Sequence, residues 1–388
     1  MSERLSGGEL VALVRRVFGV TARDRRLGIL VDLPDARAAD NPDWAERRRM
    51  AADWAAQLRR QERALGMTTS LVVYRNVAMN NADLPPAVWI VEPGAVPATA
   101  DALAPAEAMP LAQVLDTHSV LMAPTEFSAT APLKLLGKAH AFRAATMPGF
   151  KAAMIPALRL DYGEVRRRVA LLKGMLDRAA RAELRFEVDG GGRHDLVLDL
   201  RHRAAHASDG ILETPGMAGN LPSGEAYIVP YEGEVPGDPT ASAGTLPVQF
   251  GDEVVLYHVE GNVAVRVTGA GPAAEEERRR LAAEPAYGNM AELGLGVLAD
   301  LGVGPCGETL LDEKLGLHVA FGRSDHFGGQ VGAARFSRPE AVVHIDRVYL
   351  PALQPRVVAR AVDLVDGDGR VTPLMRDGAY AAGVFGPA

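Results

Sequence analysis

Short apolar runs alternate with amphipathic stretches through the first third of the chain, and few folds accommodate that rhythm. Arg26–Leu33 (RLGILVDL), Thr69–Tyr74 (TSLVVY), Ala87–Glu92 (AVWIVE) and Ser119–Ala123 (SVLMA) have the length of strands. They are apolar almost throughout, as strands covered on both faces must be. Between them lie helical patterns. In Gly7–Phe18, Leu10, Val11, Leu13, Val14 and Val17 recur at helical spacing, with Arg15 and Arg16 opposite. Asn41-Pro42 announces a second helix, with Asn as cap, Pro at the first position and Asp43 at the positive end of the dipole. That helix reads on to Leu65 and stops at Gly66, and a third pattern covers Ala106–Leu115. Strand alternating with helix predicts a parallel sheet with helices on its faces.

The pattern changes after a long helix that reads from Tyr162 to Ala182. Glu183–Val188 and Asp195–Leu200 flank Gly190-Gly191-Gly192 as a hairpin, and Val248–Val267 holds two strand-like runs joined by Glu260-Gly261-Asn262. The predicted fold is therefore α/β: a doubly wound, mostly parallel sheet over residues 1–182, then a mixed, strand-rich α+β metal-binding domain over 183–388. A chain of 388 residues, 48% of them hydrophobic, has ample material for two cores.

Several function classes are disfavoured. A net charge of −7 argues against a nucleic-acid partner or an acidic membrane surface. No Gly-rich phosphate loop follows any of the strands, so dinucleotide binding is not expected. The Arg-rich run 47–60 reads as the solvated face of a helix whose other side carries Trp44, Met50, Ala51, Trp54 and Leu58. One cysteine, Cys306, permits no internal disulfide. Asp366-Gly367-Asp368-Gly369 lacks the remaining ligands of a calcium loop and reads as a tight turn. His202 and His206 are four apart, but their polar surroundings read as loop. With no secretory signal in Met1–Phe18 and no run of ~20 apolar residues, a cytoplasmic location is expected.

Metal-binding residue types gather in the last third. Glu292 lies in Asn289-Met290-Ala291-Glu292-Leu293-Gly294, Glu313 and His318 in Leu311–Gly329, and His344 and Asp346 in an apolar run; Glu225 stands upstream. Carboxylates and imidazoles suit divalent cations. His344 and Asp346, two apart, would face one side of a strand. Glu313 and His318, five apart, need a break between them, which Gly316 can supply. Each cluster has a plainer reading: a hydrogen-bonded pair for His344 and Asp346, and the solvated start of a helix for Asp312-Glu313-Lys314.

The order and flanks of these motifs change the balance. Asn220–Pro230 (NLPSGEAYIVP), Asn289–Gly296 (NMAELGLG), Leu311–Gly329 (LDEKLGLHVAFGRSDHFGG) and Val343–Arg347 (VHIDR) together resemble the aminopeptidase T and aminopeptidase S family of dinuclear metallopeptidases. The resemblance spans roughly residues 118 to 350. It implies two divalent metal ions (zinc, cobalt or manganese) held by Glu225, Glu292, Glu313, His318, His344 and Asp346. It also implies a homodimer that hydrolyses an amide or peptide bond with metal-activated water.

The pattern departs from that family at one position. Where those peptidases place a tyrosine, seven residues beyond the histidine matching His318, this chain has Asp325, followed by His326. These two residues are the candidates for the substrate side, and the substrate is expected to be a short peptide or a small amide-like metabolite. Glu308 and Asp312 are further carboxylates able to act as a general base. The 2,5-dihydroxypyridine dioxygenases resemble the same fold but use a single ferrous iron. Their pattern has histidine in place of Glu292 and lacks Glu225 and Glu313, so retention of all three here favours the hydrolase.

Overall fold

The computed structural model describes residues 4–386, which fall into two compact units. One comprises the chain up to Gly163 together with Ser208–Ser223; the other comprises Glu164–Ala207 and the chain from Gly224 onward. The sequence reading puts a boundary near residue 182, and the units divide at Gly163.

The first unit is built on a seven-stranded sheet. Its central strands, Arg143–Thr146, Val120–Ala123, Arg26–Leu33 and Thr68–Arg75, lie side by side and parallel, with Ala218–Asn220 parallel on one edge and Ala87–Val91, then Met109–Pro110, antiparallel toward the other. Arg26–Leu33 is buried at every position after the first, as its unbroken apolar run requires. On one face Leu30, Val72, Tyr74 and Leu121 pack with Val114, Leu115 and Leu133 from the helices. Helix Pro42–Arg60 packs on the first two strands, and its start follows the sequence signals: Asn41 accepts from the Trp44 amide at 2.8 Å, with Pro42 next. At the carboxyl end of the strands, buried Asp32 accepts the amides of Glu126 (2.8 Å) and Phe127 (3.0 Å) and the indole of Trp44. That carboxylate organises the loop after Ala123.

The second unit carries two sheets. The larger has eight strands and runs antiparallel through Ala243–Phe250, Gly192–Asp199, Ala179–Val188 and Val357–Asp366. Here the helix expected to reach Ala182 ends at Leu176, and a strand begins at Ala179. Alanine-rich AARAEL favours helix by propensity. The strand wins because Ala182, Leu184 and Phe186 bury one face at period two while both edges pair, with Gly192–Asp199 and with Val357–Asp366. The hairpin turns read from sequence are present, with Asp189 and Gly190 at φ 50° and 70° and Gly261 and Asn262 at 57° and 67°.

The smaller sheet positions the candidate site. Its strands His344–Val348, Leu317–Gly322, Met290–Gly296 and Glu225–Ile228 are consecutive antiparallel neighbours. Met290–Gly296 and Leu317–Gly322 are buried at every position.

Candidate metal centre

Register across the smaller sheet decides which side chains meet. Glu292 is paired with Ala320, and Ala320 with Asp346. One row over, Tyr227 faces Gly294, and Gly294 faces His318. Glu225 is paired with Gly296, and His344 with Gly322. Since residues in register or two apart share a face, Glu225, Tyr227, Glu292, His318, His344 and Asp346 rise from one side of the sheet. Gly294, Gly296, Ala320 and Gly322 form a floor with almost no side chains. A Cβ at Gly294 would lie 1.9 Å from His318 Nε2, so the imidazole rests directly on the glycine.

Two groups of ligand atoms converge on that face. Glu225, Glu292 and His318 form one and Glu292, His344 and Asp346 the other, each with its candidate atoms within 4.8 Å of one another. Glu292 bridges them. Its Oε1 is 3.2 Å from His318 Nε2 and its Oε2 is 3.4 Å from His344 Nε2, while His344 Nε2 is 3.5 Å from Asp346 Oδ1. Both rings are oriented from behind: His344 Nδ1 lies 2.8 Å from the Arg323 carbonyl and His318 Nδ1 3.3 Å from the Gly316 carbonyl. With Nδ1–H donating to a carbonyl, Nε2 is left free to bind a metal. A further sign of fit is Glu225 Oε2, a buried oxygen with no hydrogen-bond partner.

The electrostatics are those of a cage built around positive charge. Burial alone would raise the Glu292 carboxyl, but hydrogen bonds to His318 and His344 bring it well below the usual range. Asp346 is likewise lowered against its burial, chiefly by His344. The imidazoles respond in kind. His318, which burial would discharge, is pushed up to about 9 by Glu292, Glu225 and Asp346, and His344 rises above its ordinary value beside Asp346 and Glu292. Without a metal these rings carry protons; a bound dication would replace them.

Glu313 belongs to neither group. It sits on the short turn Glu313–Leu315, after helix Thr309–Asp312 and before the strand that starts at Leu317, so the break expected near Gly316 is present. Burial raises its carboxyl, with Asp346 and Glu225 adding to the effect, and it hydrogen-bonds Asp346. Its other neighbour is Lys314, which the plainer reading of Asp312-Glu313-Lys314 would place in solvent. The Lys314 side chain is 2% exposed, and its ammonium donates to both Glu225 and Glu313. Asp312, read as a possible base, instead accepts the amides of Cys306 and Gly307, both at 2.9 Å, and shapes the preceding loop.

The two residues expected on the substrate side stay within 3.7 Å of each other but have different main partners. Asp325 is turned to Arg323, whose Nε is 2.5 Å from its Oδ1. His326 stacks on Phe327 (centroids 3.8 Å apart) and meets His344 edge to face at 5.3 Å. Burial and the neighbouring His344 lower its pKa to about 4, so its ring is neutral at pH 7. The aromatic edge continues through Phe327 to Tyr227 (4.8 Å) and on to His206, which stacks on Tyr227 at 5.2 Å and bonds the Phe327 carbonyl. Tyr227 escaped the sequence reading, which looked for a phenol only downstream of His318. Burial, Glu292 and Glu225 all raise its pKa, keeping it a hydrogen-bond donor beside the cage.

No family model and no curated protein matches the chain. Among solved structures, the 2,5-dihydroxypyridine dioxygenase of Pseudomonas putida superposes with a TM-score of 0.59 at 14% identity, covering 97% of this chain and 98% of that one. Wild-type AmpT, the aminopeptidase T of Thermus thermophilus, superposes with a TM-score of 0.54 at 16% identity over the same shares. The chain therefore shares the fold of these proteins, as its motifs led one to expect, and its second unit holds acidic and histidine groups able to bind a metal.

Proposed function

We propose that the chain is a metal-dependent enzyme that hydrolyses an amide bond in a small molecule or short peptide. The observation that carries this reading is the pair of imidazoles, each with Nδ1 directed at a backbone carbonyl and Nε2 turned toward shared buried carboxylates. Glu292, His344 and Asp346 are residues that would hold a divalent ion, and Glu292 is shared with the neighbouring group of Glu225 and His318. Such an ion, when bound, polarises a carbonyl and lowers the pKa of water toward neutrality. The chain's own side chains supply the rest. Tyr227 offers a phenol proton toward developing negative charge. Neutral His326 and Phe327 line the side of His344, whose ring is 20% exposed and gives the cage its opening.

A second reading is ring cleavage by a mononuclear ferrous centre, which the resemblance to the dihydroxypyridine dioxygenases implies; one such dioxygenase is among the proteins whose fold is similar. It is favoured by the compact Glu292–His344–Asp346 group and by the aromatic edge of His206, Tyr227 and Phe327, suited to a flat ring. The test pairs metal with reaction. Purified protein is loaded with zinc, cobalt or manganese and assayed on amino-acid anilides and small amides. Separately it is loaded with ferrous iron and followed for oxygen uptake with 2,5-dihydroxypyridine. Hydrolysis lost on chelation and restored by metal supports the first reading. Oxygen consumption with iron alone replaces it by the second.

A further inference from the structure

We propose that the Lys314 ammonium takes the place of a second metal ion, so that the chain binds one divalent ion, at Glu292, His344 and Asp346, and not two. The inference rests on the metal-dependent reading above and fixes how many ions that site holds.

Lys314 is the side chain at the candidate site that no metal-binding pattern calls for. It lies between Glu225 and Glu313, two of the six residues that the family resemblance assigns to metals, and hydrogen-bonds an oxygen of each. A dication seated between those carboxylates would need the same oxygens. It would also stand in contact with a buried positive charge, where screening is weak. The ammonium cannot easily leave. Its side chain is 2% exposed. Its backbone is pinned against the segment just beyond strand Met290–Gly296, where the Lys314 carbonyl accepts the Leu298 amide at 2.9 Å. Gly296 allows that approach, since a Cβ there would lie 2.1 Å from the Lys314 carbonyl carbon.

The remaining ligands divide accordingly. Glu292, His344 and Asp346 make no hydrogen bond to Lys314 among the described residues, and His344 is held from behind by the Arg323 carbonyl. This group is intact and is the one that reaches solvent, through His344. His318 is wholly buried at 3.2 Å from Glu292 Oε1. The other convergent group, Glu225, Glu292 and His318, shares Glu225 with the ammonium, so a dication there would meet the same buried charge; His318 acts instead as a positioning residue, fixing the carboxylate that serves the ion. On the other side, the ammonium supplies the positive charge that keeps Glu225 and Glu313 together.

The test is ion stoichiometry, which does not depend on knowing the substrate. Full-length protein is stripped with chelator, dialysed against zinc chloride or, separately, manganese chloride, and counted by plasma mass spectrometry. Anomalous diffraction then places the ions. One ion per chain is expected, beside Glu292, His344 and Asp346, with Lys314 still bridging Glu225 and Glu313. In Lys314→Asn and Lys314→Ala the count should rise from one to two, because the seat between the two glutamates is freed. Two ions in the wild-type chain overturn the proposal but leave the metal-dependent reading standing. One ion in both wild type and a folded variant also overturns it. No ion under any loading refutes the metal-dependent reading itself. Should neither variant fold, the wild-type count and the anomalous peak decide the matter.

Discussion

Gly294→Ala is the substitution that tests the floor of the cage most directly. The added Cβ would stand 1.9 Å from His318 Nε2, 2.2 Å from Cε1 and 2.6 Å from Cδ2, against an ordinary contact of 3.4 Å or more. The ring would have to retreat by 3.4 minus 1.9, about 1.5 Å. It has nowhere to go: His318 is 0% exposed, with Nδ1 against the Gly316 carbonyl and Nε2 against Glu292. Overpacking a closed site of this kind costs about 1–3 kcal/mol. For a unit of this size each kcal/mol lowers Tm by about 2–4 °C, so a fall of about 2–12 °C is expected. Metal geometry tolerates only about 0.2 Å. Moving the ring that binds or orients Glu292 should therefore weaken metal binding by about 10- to 100-fold.

The assay is a thermal melt together with a zinc titration, with Gly304→Ala as the control. Nothing lies within 4 Å of a Cβ at Gly304, so that variant should match the wild type in both measurements. If Gly294→Ala binds zinc and melts as the wild type does, His318 is not seated on the glycine and the face assignment fails. A loss of Tm with unchanged zinc affinity would also refute the reasoning, since it would detach His318 from the ion.

Tyr227→Phe should leave metal content and Tm unchanged while kcat falls by about 10²-fold or more, the usual loss on removing one oxyanion donor; an unaltered kcat would remove the phenol from the chemistry. Asp32, pushed up to about 6 by burial, binds a proton in the folded chain over a range where the unfolded chain, near 3.8, has released it. Stability from this group therefore declines as pH rises from about 4 to about 6, by about 3 kcal/mol. Urea melts across that range should show the decline in the wild type relative to Asp32→Asn, and parallel curves would refute it. Tyr257 and Tyr287 both donate to buried Glu277, at 2.7 and 2.6 Å. Glu277→Ala orphans two hydroxyls and should cost about 2–6 kcal/mol, with Glu277→Gln, which keeps an acceptor, costing less.

What could be read from the sequence was whatever local chemistry enforces. Asn41 and Pro42 start a helix because a cap and a fixed φ act within one turn. The run RLGILVDL becomes a central strand because nothing but burial on both faces suits it. The candidate metal residues were legible through motif order, and the register brings Glu225, Glu292, His318, His344 and Asp346 to one face. Ala179–Ala182 was read as helix because propensity is local, whereas the pairing that overrode it comes from residues 357–366, far along the chain.

Lys314 and Tyr227 were missed for opposite reasons. Lys314 follows Asp312 and Glu313 in a string of charges, and such strings are normally solvated. Only the fold reveals that the turn at 313–315 points inward and that Gly296 lets it close on the neighbouring strand. No sequence signal distinguished it. For Tyr227 a signal existed: on a strand beginning at Glu225, the residue two further on shares its face. A candidate ligand at the start of a short strand thus implicates its i+2 neighbour, and here that neighbour carries a phenol. Both residues stand at the candidate cage, Lys314 with its ammonium between Glu225 and Glu313 and Tyr227 with its phenol kept protonated beside Glu292 and Glu225. Replacing each alone and then both therefore separates their roles: the ion count should follow Lys314 in the single and the double variant, and turnover at fixed metal content should follow Tyr227.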